Sequence, residues 1–250
     1  MEENKQEIIK LFLAKVKGRS PVAVGNAAHD GKYGHWLEQQ MGIARNSDNL
    51  PDIFGYEMKN QTKNKTTFGD WSADYYIFRD SPEAKINRDN FLTIFGKPNP
   101  LKENRYSWSG EPCPKILKVN KFGQKLVIDL HDNISAMYSY SEDMRTNKNR
   151  IVPARLQIEN LVLAKWSKLW IKRKLENKFN QKGWFKCKLN PQGKYETIVF
   201  GPPINFENWI QLVKKGLVFF DSGMYQGNPR NYSHWRANNN LWNSLIIDEC

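Results

Sequence analysis

The stretch Leu50–Gln61, LPDIFGYEMKNQ, constrains this chain more than any other. Residues two apart share a face of a strand. Phe54, Tyr56 and Met58 therefore form one apolar side, and Gly55, Glu57, Lys59 and Gln61 the other. The apolar side asks for a core beneath it. The other side puts a glutamate and a lysine next to each other, with Asp52 just upstream in the turn made by Pro51. A hairpin or bulge there brings the Asp52 carboxylate round to Glu57 and Lys59. Gly55 leaves room for a close approach by another backbone. A surface strand carrying an i, i+2 salt bridge accounts for the same residues, so both readings stand at this point.

Composition narrows the setting. A chain of 250 residues makes one large domain or two lobes and can bury a real core. It has no apolar run long enough for a transmembrane helix. The amphipathic opening MEENKQEIIKLFLAKVKG lacks the unbroken apolar centre of a signal peptide. Cys113, Cys187 and Cys250 are scattered without a C-x-x-C pair, which fits a reducing cytoplasm and argues against structural zinc. The net charge of +12 is concentrated: between Lys115 and Lys188 stand 17 Lys and Arg against 6 Asp and Glu. A basic middle beside a carboxylate-bearing region suits an enzyme acting on a polyanion, with nucleic acid the leading partner. A solvated basic surface is the plainer account.

Along the chain, apolar spacing predicts a helix over about Lys5–Lys17 ending at Gly18, then a short helix over Lys32–Met41. IFGYEMKNQ is the strand; YYIF and KLVIDL read as further strands around a Pro-rich connector. The longest helix is expected within Arg155–Phe179. There Val162, Trp166, Leu169 and Trp170 form a stripe, and Lys165, Lys168 and Lys172 a basic row that Arg173 extends. Strand YETIVF, helix NFENWIQLVKKG capped by Asn205 and strand LVFFD follow, and the tail from Ser222 shows little periodicity. His29, His35 and His131 sit in no ligand spacing and read as structural. Trp108 and Trp235, in polar surroundings, are candidates to stack on bases.

Two carboxylates and a strand carbonyl make a hard oxygen site, suited to Mg²⁺ rather than zinc. Lys59 beside them is placed to hold the attacking water and offset charge on a phosphoryl transition state. A lysine next to carboxylates is expected to keep its proton firmly. A fourth acidic residue, Glu38, lies beside Leu37 on the short apolar helix, half drawn toward the core.

The run GHWLEQQMGIARNSDNLPDIFGYEMKNQ holds a helix glutamate, then P-D-x4-E-x-K. It resembles the PD-(D/E)XK nucleases, more narrowly the MutH and MvaI/BcnI branch, and the LlaMI restriction endonuclease family in particular. The resemblance implies an active-site set of Glu38, Asp52, Glu57 and Lys59, with Asp52 and Glu57 as ligands of Mg²⁺. It implies an α/β (α+β) restriction-endonuclease-like fold: a mixed β-sheet flanked by helices, with two lobes around a DNA cleft. On this basis residues 1–155 form the catalytic lobe and 156–250 a helix plus the DNA-recognition lobe. Residues 84–149 carry no motif by which the resemblance can be followed through them.

The ending RNYSHWR is similar to that family's guanine-reading loop, which carries Arg230 and Arg236, and also His234, over as base contacts. Asp221 is placed to accept from a cytosine amino group. Ser222 and Gly223 stand where a basic side chain is expected, which leaves the central base of the target unread. Lys172 and Arg173 are candidate phosphate contacts. The expected activity is a cytoplasmic, monomeric, Mg²⁺-dependent type II restriction endonuclease. It would cut double-stranded DNA at a CCNGG-like site, leave 5′-phosphates and be paired with a DNA methyltransferase. A MutH-like repair nickase competes within the enzyme class. A DNA-binding module without chemistry competes from outside it, though it would have no use for carboxylates beside phosphates.

Overall fold

The structure is a computed structural model that describes residues 2–22, 32–44, 48–60 and 62–250. His29 and Gln61 lie outside them. The chain runs α1 (Glu2–Lys15), α2 (Lys32–Gln40), β1 (Tyr56–Lys59), β2 (Lys65–Asp70), β3 (Tyr75–Tyr76) and α3 (Ile77–Asp80). Next come α4 (Arg88–Phe95), β4 (Lys97–Asn99), β5 (Arg105–Trp108), β6 (Phe122–Ile128), β7 (Ile134–Asp143) and α5 (Lys148–Ile151). Then β8 (Leu161–Trp166), α6 (Lys168–Phe179), β9 (Gly183–Leu189), β10 (Tyr195–Gly201) and α7 (Phe206–Lys214) follow. The end holds β11 (Val218–Ser222), β12 (Met224–Tyr225), β13 (Ser233–Asn238), α8 (Asn239–Ser244) and β14 (Asp248–Glu249).

Contacts divide the chain into two compact units, each assembled from separated segments. One comprises Met1–Thr66, Lys174–Phe206 and Asn238–Cys250; the other comprises Thr67–Arg173 and Glu207–Ala237. This division is discontinuous, unlike the single boundary after residue 155 drawn from the sequence.

The first unit is built on a mixed sheet in the order β1-β9-β10-β14. β1 and β9 are parallel, whereas β10 is antiparallel to both its neighbours. One face is apolar. Ile8 and Phe12 of α1 and Val16 just past its end, each four apart, are fully buried there with Leu37 and Met41, against Tyr56, Met58, Phe185, Cys187, Ile198 and Phe200. Each such side chain contributes about 1.5–3 kcal/mol by leaving water. Gly183 opens β9 with φ +108°, and a Cβ there would run into Gly201 O and sit 2.8 Å from Pro202 C. Gly183→Ala is expected to destabilise the chain by about 2–4 kcal/mol through backbone strain and that clash. A urea midpoint equal to that of the parent would disprove this.

The second unit contains an antiparallel sheet β3-β8-β7-β6, a small sheet β12-β5-β4, and the hairpin β11-β13 with β2 along its side. Its core is aromatic. The Trp166 ring meets Phe220 at 4.9 Å and Trp235 at 5.4 Å, and Trp209 meets Trp235 at 5.3 Å.

Several expectations change here. Leu161–Trp166 is strand rather than helix, because β8 pairs with β7 on one edge and Tyr75–Tyr76 on the other. The basic row is thereby broken: Lys165 belongs to β8, and the helix begins at Lys168. The longest helix is α1. YYIF is strand for two residues and turns helical at Ile77. The Pro-rich connector forms the β4–β5 pair, and the tail forms β12, β13, α8 and β14. Trp108 and Trp235 are fully buried and present no face to a base.

Candidate active site

Phe54 and Gly55 both have positive φ, 50° and 85°. They are the centre of a tight hairpin turn in which Ile53 N–H donates to Tyr56 O at 3.1 Å and Tyr56 N–H donates to Ile53 O at 2.8 Å. Gly55 thus serves the turn, and the space where its side chain would stand is bounded by Lys182, whose methylenes would lie 3.3 Å from a Cβ. Phe54, expected in the core, is 47% exposed at the turn's tip. The turn folds Asp52 back on the strand, where its Oδ2 accepts from Met58 N–H at 2.8 Å.

All four residues of β1 are buried, including Glu57 and Lys59. Glu57 Oε1 accepts from Lys59 Nζ at 2.7 Å and lies 3.1 Å from Lys178 Nζ, at the end of α6. Among the described residues Glu57 Oε2 is buried without a hydrogen-bond partner. Lys59 Nζ also sits 4.9 Å from the centre of the Phe179 ring. Two carboxylates and two ammoniums therefore share one pocket.

The electrostatics follow from burial. Asp52 is pushed up from 3.8 to about 7, first by loss of water and then by the Glu57 charge, against the pull of Lys178 and Lys59. Lys59 is pushed down from its ordinary value, because burial outweighs the attraction of Glu57. This reverses the expectation that its carboxylate neighbours hold the proton firmly.

Lys178 went unnoticed in the sequence. It adjoins the buried seam Ile171, Leu175 and Phe179 of α6, a setting in which a lysine calls for a partner.

Glu38 stands apart. Its Oε2 is 3.0 Å from His35 Nδ1 on the same helix, and the neighbouring Trp36 and Leu37 pack on the apolar face of the sheet. A Cβ on Gly34 would lie 2.7 Å from Asn60 Nδ2, so α2 passes close to the end of β1. Among the described residues no group of three or more His, Cys, Asp and Glu side chains converges. Asp52 and Glu57 remain. They fit a hard divalent cation that uses one or two carboxylates and completes its shell with water and phosphate oxygens. The orphaned Glu57 oxygen lacks what such a cation would supply.

In the other unit, the β11–β13 hairpin alternates strictly. Val218, Phe220, Ser222, Ser233, Trp235 and Ala237 are buried, while Asp221, His234 and Arg236 point away from that core. Asp221 is in register with His234, and Arg236 Nη1 is 3.1 Å from Asp221 Oδ2. The alternation continues upstream: the Arg230 guanidinium lies 4.6 Å from the centre of Tyr232, whose ring stacks on His234 at 5.7 Å. Arg230 also pairs with Asp70 at 3.1 Å. Burial, aided by the Arg236 charge, holds His234 below its ordinary value against the pull of Asp70 and Asp221.

Arg88, also unnoticed, fixes this segment. It donates to Asn231 Oδ1 at 2.8 Å, Tyr225 O at 3.1 Å and Arg230 O at 2.9 Å. Lys172 is paired with Glu207 at 2.9 Å, and Arg173 lies 5.2 Å from the centre of the Trp170 ring.

Known proteins share this fold. The restriction endonuclease MvaI–cognate DNA substrate complex superposes with a TM-score of 0.62 over 100% of this chain and 96% of that chain, at 12% identity. That likeness shows the mixed α+β fold of the restriction endonucleases. The type II restriction enzyme ScrFI of Lactococcus lactis subsp. cremoris is 49% identical over 268 residues, covering 99% of each chain. The model of the LlaMI restriction endonuclease family matches residues 19–250. The chain belongs to the LlaMI restriction endonuclease family.

Proposed function

We propose that this restriction endonuclease hydrolyses phosphodiester bonds of double-stranded DNA at a short G·C-rich site of the CCNGG kind. Mg²⁺ would be held by Asp52 and Glu57, and the products would carry 5′-phosphates. The observation that carries this reading is the buried Glu57 carboxylate, with two lysines on one oxygen and, among the described residues, no hydrogen-bond partner on the other. Such an arrangement has no purpose in a plain DNA-binding surface, where unneutralised carboxylates repel phosphates. A cation bound there would polarise the phosphate and lower the pKa of a bound water.

The chain's own groups do the rest. Lys59, its proton loosened by burial, takes the proton of the attacking water or hydrogen-bonds the phosphoryl oxygen as charge grows on it. Lys178 balances the charge of Glu57 and orients its carboxylate. The proposed set also includes Glu38 on α2, which is held by His35 and stands apart from the other three. Arg230 and Arg236 read guanine edges, Asp221 accepts from a cytosine amino group and His234 lines the same face. Lys172 and Arg173 contact backbone phosphates, Lys172 exchanging Glu207 for one of them. The working form is a cytoplasmic monomer accompanied by a DNA methyltransferase that protects the same site. No helix among the described residues is long and apolar enough to cross a membrane.

The test is digestion of sequenced plasmid and phage DNA by the purified protein, with and without Mg²⁺, beside Asp52→Asn. Discrete fragments that require Mg²⁺ and disappear in the variant are expected, and sequencing their ends gives the site. Nicked circles alone would replace this reading with a strand-specific nickase. Bound but uncut DNA under every condition would leave only a binding protein.

A further inference from the structure

On the sheet of the first unit, Lys59 is in register with Lys186 of β9. Register partners share a face, so the two lysines rise side by side from strands about 4.8 Å apart. Their circumstances differ. Lys59 has Glu57. Lys186 is 4% exposed and has no hydrogen bond or ion pair among the described residues. Its register neighbour across β10 is Val199, and Trp184 precedes it on the same face, so nothing beside it in the sheet answers its charge. Burial, with Lys188 nearby, pulls its proton affinity down.

A buried ammonium without a partner lowers stability. Methionine would fill the same place at no such cost.

Lys186 lines a cavity of about 150 Å³ together with Lys188, Leu189, Asn239 and Asn243. Lys188 is already committed to Glu249 at 3.1 Å. Asn239 is committed as well, donating to Thr62 O at 2.8 Å and accepting from Thr66 Oγ1 at 3.0 Å. The free groups facing the cavity are the Lys186 ammonium and the exposed Asn243 amide. Both can donate, and together they suit an oxyanion and repel a cation. The volume holds a phosphate group with a few waters, taking about 30 Å³ for each water.

We propose that Lys186, with Asn243, binds a non-scissile phosphate of the DNA strand, next to the phosphate handled by Glu57 and Lys59. This rests on reading that pair as the hydrolytic site. Lys186 is then a positioning residue: it touches the backbone one step from the reacting atoms and fixes which phosphate meets Lys59.

The test compares the parent chain with Lys186→Met, Lys186→Gln and Lys186→Arg. Binding to a duplex bearing the cleavage site is measured without Mg²⁺ over a range of salt. Lys186→Met is expected to bind about tenfold more weakly, with a slope of log K against log salt shallower by about 0.9. Lys186→Arg is expected to keep the parental slope. The free Lys186→Met protein is expected to melt no lower than the parent, which a merely structural lysine would not allow. Lys186→Gln gives the same comparison should the methionine variant not fold. Duplexes carrying one methylphosphonate at a time then locate the contact. One position should weaken the parent and leave Lys186→Met unaffected.

A parental slope and parental interference pattern in both neutral variants, with cleavage intact in the parent, would overturn the phosphate site alone. A parent that binds no duplex DNA would overturn it together with the hydrolytic reading.

Discussion

Glu57→Gln is expected to lower the single-turnover cleavage rate of a site-bearing duplex by about 10³-fold at saturating protein and Mg²⁺. The same substitution leaves Lys59 and Lys178 facing each other with one carboxylate fewer between them. Breaking a buried ion pair costs about 3–5 kcal/mol, so the variant should also unfold at lower urea. The two effects separate through charge balance. The double variant Glu57→Gln/Lys178→Met removes one charge of each sign. It is expected to regain most of the stability and none of the activity. Parental cleavage by the stable double variant would remove Glu57 from the chemistry. If the double variant were no more stable than the single one, Lys178 would be irrelevant to the pocket.

The second large effect is a dependence on pH. The Asp52 carboxyl titrates near 3.8 in the unfolded chain and at about 7 in the cation-free fold. The folded state therefore holds a proton that the unfolded state has lost across this window. Stability from this group is full below pH 3.8, declines as pH rises, and is lost above about 7. The loss is on the order of 4 kcal/mol at most. A divalent cation requires the ionised carboxylate and so competes with that proton. The Mg²⁺ affinity read from melting-temperature titrations should fall about fivefold from pH 7 to pH 6, as the ionised fraction of Asp52 drops from about one half to about one tenth. Asp52→Asn should abolish this slope along with most of the Mg²⁺ response. A Mg²⁺ response equal at pH 6 and pH 8 in the parent would dissociate Asp52 from the cation.

Part of this site was legible in the linear sequence because its residues are local. Asp52, Glu57 and Lys59 lie within one turn and one strand, and the alternation of Tyr56 and Met58 marks which side faces the core. Lys178 was not legible, since it reaches Glu57 from α6, and Lys186 was not, since only the parallel pairing of β1 with β9 sets it in register with Lys59. No local pattern announces such a pairing. The depth of burial was also hidden. A half-exposed strand and a fully covered one show the same alternation, yet only the second lifts Asp52 and loosens Lys59.

The error at Leu161–Trp166 has a different origin. Val162, Trp166, Leu169 and Trp170 match a helical stripe by straddling a strand and the helix that follows it. Strand pairing on both edges decided the outcome. At the C-terminus, β13 alternates buried Ser233, Trp235 and Ala237 with His234 and Arg236, a strand signal weakened by the polar Ser233 on its core face.

The register of β1 against β9 also bears on how the protein is made. Glu57 lies opposite Trp184, so the pairing that adds β1 to the edge of the first unit's sheet joins residues far apart in the chain. Contacts of this kind form late and slow folding. A nascent chain that has emerged only as far as Trp170 already carries Asp52, Glu57 and Lys59, but it lacks both Lys178 and the strand that would cover them. Synthesis therefore delivers the acidic residues early and the means of using them late. Any fragment released before β9 is complete has no assembled centre with which to damage the genome of the cell producing it.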